Sequence, residues 1–228
     1  MDIVLLLMLA ISPGIAFCLY INYKDRMEKE PRSLLVKAFF LGVISIFPAI
    51  FLELAGEQFF PLNSNNLVSV LFYATVIVGL SEEAVKYFFI KKVFYPHPAF
   101  SEPLDGIVYA LMVGMGFATI ENIFYVLDHE NPFFIGFLRM FMAIPAHAIF
   151  AIVMGYYMGM AKYVDGKDME TRRRNLLLTG IGAATILHGG YDFFLIQQNY
   201  PVLIFGAFVV LGIGMHYAKK AIAIHLRA

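Results

Sequence analysis

Long apolar stretches alternate with short polar ones along the whole chain. Seven of them reach the length of about 20 residues that a helix needs to cross a bilayer: 3–22, 34–55, 67–90, 105–127, 133–161, 176–197 and 201–218. The connections are short, and no linker or low-complexity tract interrupts them. Consecutive helices are therefore expected to pack antiparallel, with residues 1–228 as one integral membrane domain. The pattern predicts an all-α, polytopic transmembrane bundle. The first stretch is read as a retained span and not a signal peptide. Its start, Met1-Asp2, has no Lys or Arg, and Phe17 breaks the small-residue box before Cys18.

Composition agrees. Of 228 residues, 60% are apolar and 15% charged, with mean hydropathy +0.73. Soluble domains are about 45–50% apolar and about 25% charged. These values exclude a disordered chain, a coiled coil and a disulfide scaffold; Cys18 has no partner within the chain. The 17 Lys+Arg balance 17 Asp+Glu, so there is no basic excess to bind nucleic acid.

The charges are not evenly spread. Lys and Arg favour cytoplasmic loops. Fifteen of the 17 cations fall at 23–37, 91–104, 162–175 and the C-terminal tail, whereas the loops near 56–66, 128–132 and 198–200 hold none. This alternation predicts an N-terminus outside and a C-terminus in the cytoplasm. The two remaining cations, Lys86 and Arg139, fall within spans.

An acid or Lys at bilayer depth costs about 2.5–3.5 kcal/mol on insertion scales, and such groups usually face a bundle interior or a wet cavity. Here they form four sets: Glu82, Glu83 and Lys86 in the third span; Glu121 and Asn122 in the fourth; His147 in the fifth; His188 and Asp192 in the sixth. At about 1.5 Å rise per residue, Glu82, His147 and His188 can share one level, with Glu121 nearer the outer side. Lys86 can reach Glu82 at i,i+4 and Glu83 at i,i+3. Asp192, four residues after His188, can orient that imidazole. Each residue alone could be a polar contact between helices; four sets on consecutive spans favour chemistry. Glu53 is read as interfacial, Arg139 as able to snorkel to the outer edge, and Gly155 and Gly159 as helix packing. His97, His129, His216 and His225 receive no role.

Carboxylates, imidazoles and an amide at one depth suit water activation: a Glu takes the proton and His or Asn stabilises the oxyanion. There is no HExxH and no GxSxG, so neither a zincin nor a serine-hydrolase mechanism has a motif behind it. Zinc on His147, His188 and a Glu stays open, as does a proton-coupled transporter.

Glu-Glu-x-x-Lys at 82–86, Phe-x-x-x-Glu-Asn at 117–122, the His147 segment and His-x-x-x-Asp at 188–192 resemble the motif set of the PrsW membrane proteases. Further likeness lies in Lys24-Asp25 with Glu30-Pro31, Phe40-Leu41-Gly42, Tyr95-Pro96-His97, Asp105-Gly106-Ile107-Val108-Tyr109, Gly116-Phe117-Ala118-Thr119 and Leu187-His188-Gly189. That group is grouped here with the type II CAAX prenyl proteases and the bacterial CPBP proteins. The resemblance implies a bacterial cell-membrane protease whose partners are the lipid bilayer and a membrane-anchored anti-sigma factor of the RsiW type. The site-1 cut on the extracytoplasmic side would start release of an envelope-stress, sigma-W-type factor. It implies Glu82 and Glu83 as the essential acids and His188 as the essential histidine, with His147 a further one. Glu121 stands where CAAX proteases have a His. Lys86 replaces an Arg one residue further on, and Asp192 replaces an Asn; both departures favour PrsW over prenyl-protein processing. The CAAX analogy also implies no metal, with zinc on His147, His188 and Glu82 as the alternative.

Overall fold

The computed structural model describes residues 3–25, 28–197 and 199–226. Met1, Asp2 and two of the orienting cations, Arg26 and Arg227, lie outside the described residues. Among those residues the chain is helical and has no strand. Seven long helices follow in order: α1 Ile3–Lys24, α2 Arg32–Phe59, α3 Leu67–Phe94, α4 Pro103–Asp128, α5 Pro132–Tyr163, α6 Met169–Ile196 and α7 Pro201–His225. All but α6 are apolar enough to cross a membrane by composition as well as length. α6 begins with Arg172, Arg173 and Arg174 and carries His188 and Asp192.

Several helices outrun the apolar stretches that predict them. α2 reaches Phe59, α6 starts at Met169 and α7 runs to His225. Lys, Arg and Glu are good helix formers, so a helix continues past the point where its apolar segment stops.

α4 is the central post. It is buried over most of its length and packs on α1, α2 and the second part of α5. Small residues allow this. A Cβ on Gly42 would strike the Val113 carbonyl oxygen, and one on Gly116 would strike that of Phe39, so α2 and α4 touch backbone to backbone. Gly155 and Gly159 meet Gly106 and Pro103 of α4 in the same way, the small-residue packing common between membrane helices. Gly189 of α6 takes Thr75 of α3 against its bare face.

Two irregularities aim the polar residues. α3 has π-helical turns at Tyr73–Gly79 and Ile90–Phe94, which bracket the α-helical Leu80–Phe89 carrying Glu82, Glu83 and Lys86. Such turns rotate the following residues around the axis and recur at functional sites. α5 breaks at Met142 (φ −117, ψ −64), separating Pro132–Phe141 from Ala143–Tyr163.

The end of the bundle that carries the cations also holds buried acids, which the sequence pattern leaves at the membrane edge. Asp25, Glu30 and Asp105 are all buried. Asp105 accepts the Ser101 and Glu102 backbone N–H groups at 2.7 and 2.8 Å, closing a capping box at the start of α4. Asp25 accepts from the Glu30 N–H at 3.3 Å, and Tyr109 donates its hydroxyl to Glu30. Burial pushes the Glu30 carboxyl up to about 8, against the pull of the Tyr109 hydrogen bond; Asp105 and Asp25 add repulsion. Burial likewise lifts Asp25, and raises Glu102 to about 7. A carboxyl raised in this way binds its proton more tightly folded than unfolded. Its stabilising contribution is full below about pH 4.5 and is lost as pH rises through about 8. Thermal unfolding of the detergent-solubilised protein should therefore show a melting temperature that falls from pH 6 to pH 9. Glu30→Gln should flatten the slope; an unchanged slope would place the titration elsewhere.

Candidate active site

Lys86 is the hub of the polar cluster. Its Nζ lies 2.9 Å from Glu82 Oε2, 2.9 Å from Glu83 Oε1 and 3.4 Å from His147 Nδ1. It also sits 3.8 Å above the Phe117 ring, a cation–π contact in a desolvated place. The i,i+3 and i,i+4 spacing gives both carboxylate contacts, and α5 brings His147 across. An ammonium only donates, so His147 Nδ1 must accept, which puts the imidazole proton on Nε2. That nitrogen faces Glu121 Oε2 at 2.8 Å.

His188 completes the cluster from α6. Its Nδ1 is 3.0 Å from Glu83 Oε1 and its Nε2 is 3.2 Å from Asp192 Oδ2, with Glu82 Oε2 at 3.9 Å. Both nitrogens face carboxylates, so with those ionised His188 is an imidazolium donating both ways. Phe150 stacks on its ring, centroids 4.8 Å apart, and the His147 ring stands edge-on to it at 5.2 Å.

Glu121 belongs to the same network. Arg139 pairs with Glu121 Oε2 at 2.8 Å, donates from Nε to Asn122 Oδ1 at 2.5 Å, and lies 3.8 Å over the Tyr125 ring. This corrects the reading of Arg139 as a snorkelling residue: three partners hold its guanidinium inside. It also means that Lys86 does not answer the buried acids alone. Asn122 donates to the Ala10 carbonyl of α1 at 3.3 Å. Its amide is thus turned to the α1–α4 contact, away from the imidazoles.

A cavity of about 660 Å³ reaches this cluster. Glu82, Glu121, His147, His188, Asp192 and Arg139 line it; Glu83 and Lys86 do not, and stand behind Glu82. Apolar walls come from Ile46, Ile50, Val78, Leu138 and Leu195. Toward the mouth stand Glu53, Tyr73, His129, Ile135, Ile196 and Ile204. These come from the closing parts of α2 and α6, the residue that follows α4, and the opening parts of α3, α5 and α7. The mouth is therefore at the end of the bundle whose connections, 60–66, 129–131 and 197–200, contain no Lys or Arg. α2 continues to Phe59, and Glu53, read from sequence as interfacial, lines the cavity wall. His129, given no role from sequence, also lines the cavity. Tyr125 and Tyr191 do so as well.

One ligand atom each from Glu82, Glu83, His147 and His188 lies within 4.8 Å of the others. Two imidazoles with carboxylates match the donors that zinc takes in catalytic sites. Lys86 holds Glu82 and His147 Nδ1 in this structure, so an ion held by these residues would compete with its ammonium for them.

Residues 30–217 match the PrsW family of intramembrane metalloproteases. The chain belongs to the PrsW family. It is 32% identical over 219 residues to Protease PrsW of Bacillus subtilis strain 168, covering 95% of each chain. Protease PrsW of Geobacillus kaustophilus is 36% identical over 191 residues, 83% of this chain and 79% of the relative. The Oceanobacillus iheyensis protein of the same name is 35% identical over 201 residues, covering 88% and 87%. No solved structure matches the chain. The PrsW-family chain is thus a multi-pass bacterial membrane protein and a membrane protease. The matched region holds the whole polar cluster and its cavity.

Proposed function

We propose that this chain is a site-1 protease that makes the first cut in a membrane-anchored anti-sigma factor on the extracytoplasmic side, starting release of an envelope-stress sigma factor. The observation that carries this is the direction of the cavity. It leads from the cation-free end of the bundle to the Glu82 carboxylate. With the cation-rich loops taken as cytoplasmic, the mouth faces outward. A substrate's extracytoplasmic stem can then reach the cluster without crossing the bilayer.

In this reading Glu82 is the general base, because it lines the cavity while Glu83 stands behind it. Glu82 takes a proton from water as the water oxygen attacks the peptide carbonyl. The His188 imidazolium, its N–H groups held by Glu83 and Asp192, stabilises the oxyanion by its positive charge, with the His147 ring beside it. The C–N bond then breaks and the proton passes from Glu82 to the leaving amine. Glu121 and Arg139 fix the His147 ring, Asp192 and Glu83 fix that of His188, and Lys86 pairs with Glu83. Glu82, His147 and His188, with Glu83 beside them, are the residues that would hold zinc. A bound zinc ion would polarise the carbonyl and make water more acidic.

The test is cleavage in proteoliposomes of a candidate membrane-anchored anti-sigma factor, with fragments identified by mass spectrometry. The expected cut lies in the stem outside the membrane. A cut on the cytoplasmic side would sink the assignment. A strong chelator should abolish the cleavage, and stoichiometric zinc should restore it. Full activity after exhaustive chelation would remove the metal from this proposal.

A further inference from the structure

The acids around the cavity are almost all answered from within. Glu82 and Glu83 share Lys86, Glu83 and Asp192 flank His188, and Glu121 holds Arg139 and His147. Glu53 differs. Its side chain lines the same cavity, yet it forms no ion pair or side-chain hydrogen bond among the described residues.

Its position is specific. Ile46, Ile50 and Glu53 follow the i, i+4, i+7 spacing of one helix face, and all three line the cavity. The isoleucines form an apolar wall, and Glu53 follows it toward the mouth. Glu53 is within electrostatic reach of Glu82 and Glu121, of Tyr73 on α3, and of Lys86 and His188, whose charges are already held by other carboxylates. A carboxylate on an apolar-walled, half-enclosed surface gives up part of its hydration, and a cation compensates it best. The cavity's own cations are already engaged. A lysine or arginine side chain of the substrate fits the space. Its alkyl stem can lie along Ile46 and Ile50 while its charged head reaches the carboxylate.

We propose that Glu53 is a specificity-determining residue that selects substrates with a basic side chain flanking the scissile bond. The inference rests on the protease reading of this cavity and adds the substrate's charge to it.

The experiment uses the full-length protein in proteoliposomes. Single-span reporters carry an anti-sigma-factor stem in which each residue around the cut is set in turn to Lys, Ala or Glu. At the best position the wild type should show kcat/KM about tenfold higher for Lys than for Ala, with Glu lowest, mostly through KM. Glu53→Gln should bring Lys and Ala within about twofold. Glu53→Lys should favour Glu. Thermal unfolding of each variant reports that the fold is kept, and the preference is a ratio within one variant, so partial loss of folded protein does not mimic it. Equal rates on the three series, or a Lys preference that survives Glu53→Gln, would overturn the assignment and leave the protease reading standing. No cleavage of any reporter by the folded wild type would overturn both.

Discussion

Glu82→Gln is expected to lower cleavage by about a thousandfold or more with little change in folding. A positioned general base contributes about 10²–10⁴ in rate, and Gln keeps the size of the side chain while losing the proton acceptor. Glu82 lines the cavity, so its partner Lys86 keeps Glu83 when Glu82 is neutralised. Glu83→Gln should behave differently. It neutralises a carboxylate that faces both Lys86 and His188 in a buried place, so activity and melting temperature should fall together. Breaking one partner of a buried charge cluster costs about 3–5 kcal/mol. His188→Ala should match Glu82→Gln in activity. Cleavage rates and thermal unfolding on the same preparations give both readouts. Full activity in Glu82→Gln would transfer the base to another residue; full activity in all three variants would remove the chemistry from this cluster.

The other large effect concerns the frame. Gly42→Ala and Gly116→Ala each add a methyl group where a backbone carbonyl of the facing helix already stands, Val113 and Phe39 respectively. A side chain can rotate away from such a clash, but a carbonyl inside a helix cannot, so α2 and α4 must separate. Overpacking typically costs about 1–3 kcal/mol, and these sites belong at or above the top of that range. Each variant should melt well below the wild type in detergent, and the pair together should accumulate poorly. Gly182→Ala and Gly212→Ala are the matched controls. A Cβ there meets nothing within 4 Å, and Ala is the better helix former, so both should melt at or above the wild-type temperature. Equal loss at all four positions would mean that helix propensity and not backbone contact governs the result.

Much of this architecture is legible in the sequence because a bilayer imposes simple rules. Seven apolar stretches give seven helices, and the i,i+4 spacing of Glu82 with Lys86 and of His188 with Asp192 becomes direct contact. Pairings between helices are less accessible. Nothing in the spacing of Glu121, Arg139 and His147 announces that one carboxylate serves both Arg139 and His147. That depends on how α4 and α5 are rotated and on the break at Met142. Edges mislead for a different reason. Hydropathy marks where apolar side chains stop, whereas helix and burial continue. Glu53 on α2 and Asp105 on α4 therefore look peripheral in sequence and lie inside the bundle. Asp25 and Glu30 lie between two apolar stretches in sequence, and tertiary contacts such as that of Tyr109 with Glu30 bury them.

Lys86 carries one more consequence. Its ammonium bridges the carboxylates and an imidazole, so the protein supplies its own countercharge to the cluster. Many small metal sites collapse when their ion leaves, because ligand repulsion is no longer offset. Here the repulsion is already answered from within α3. A newly inserted chain can therefore assemble the bundle around this cluster unaided, and stripping metal from the protein is expected to leave its melting temperature unchanged.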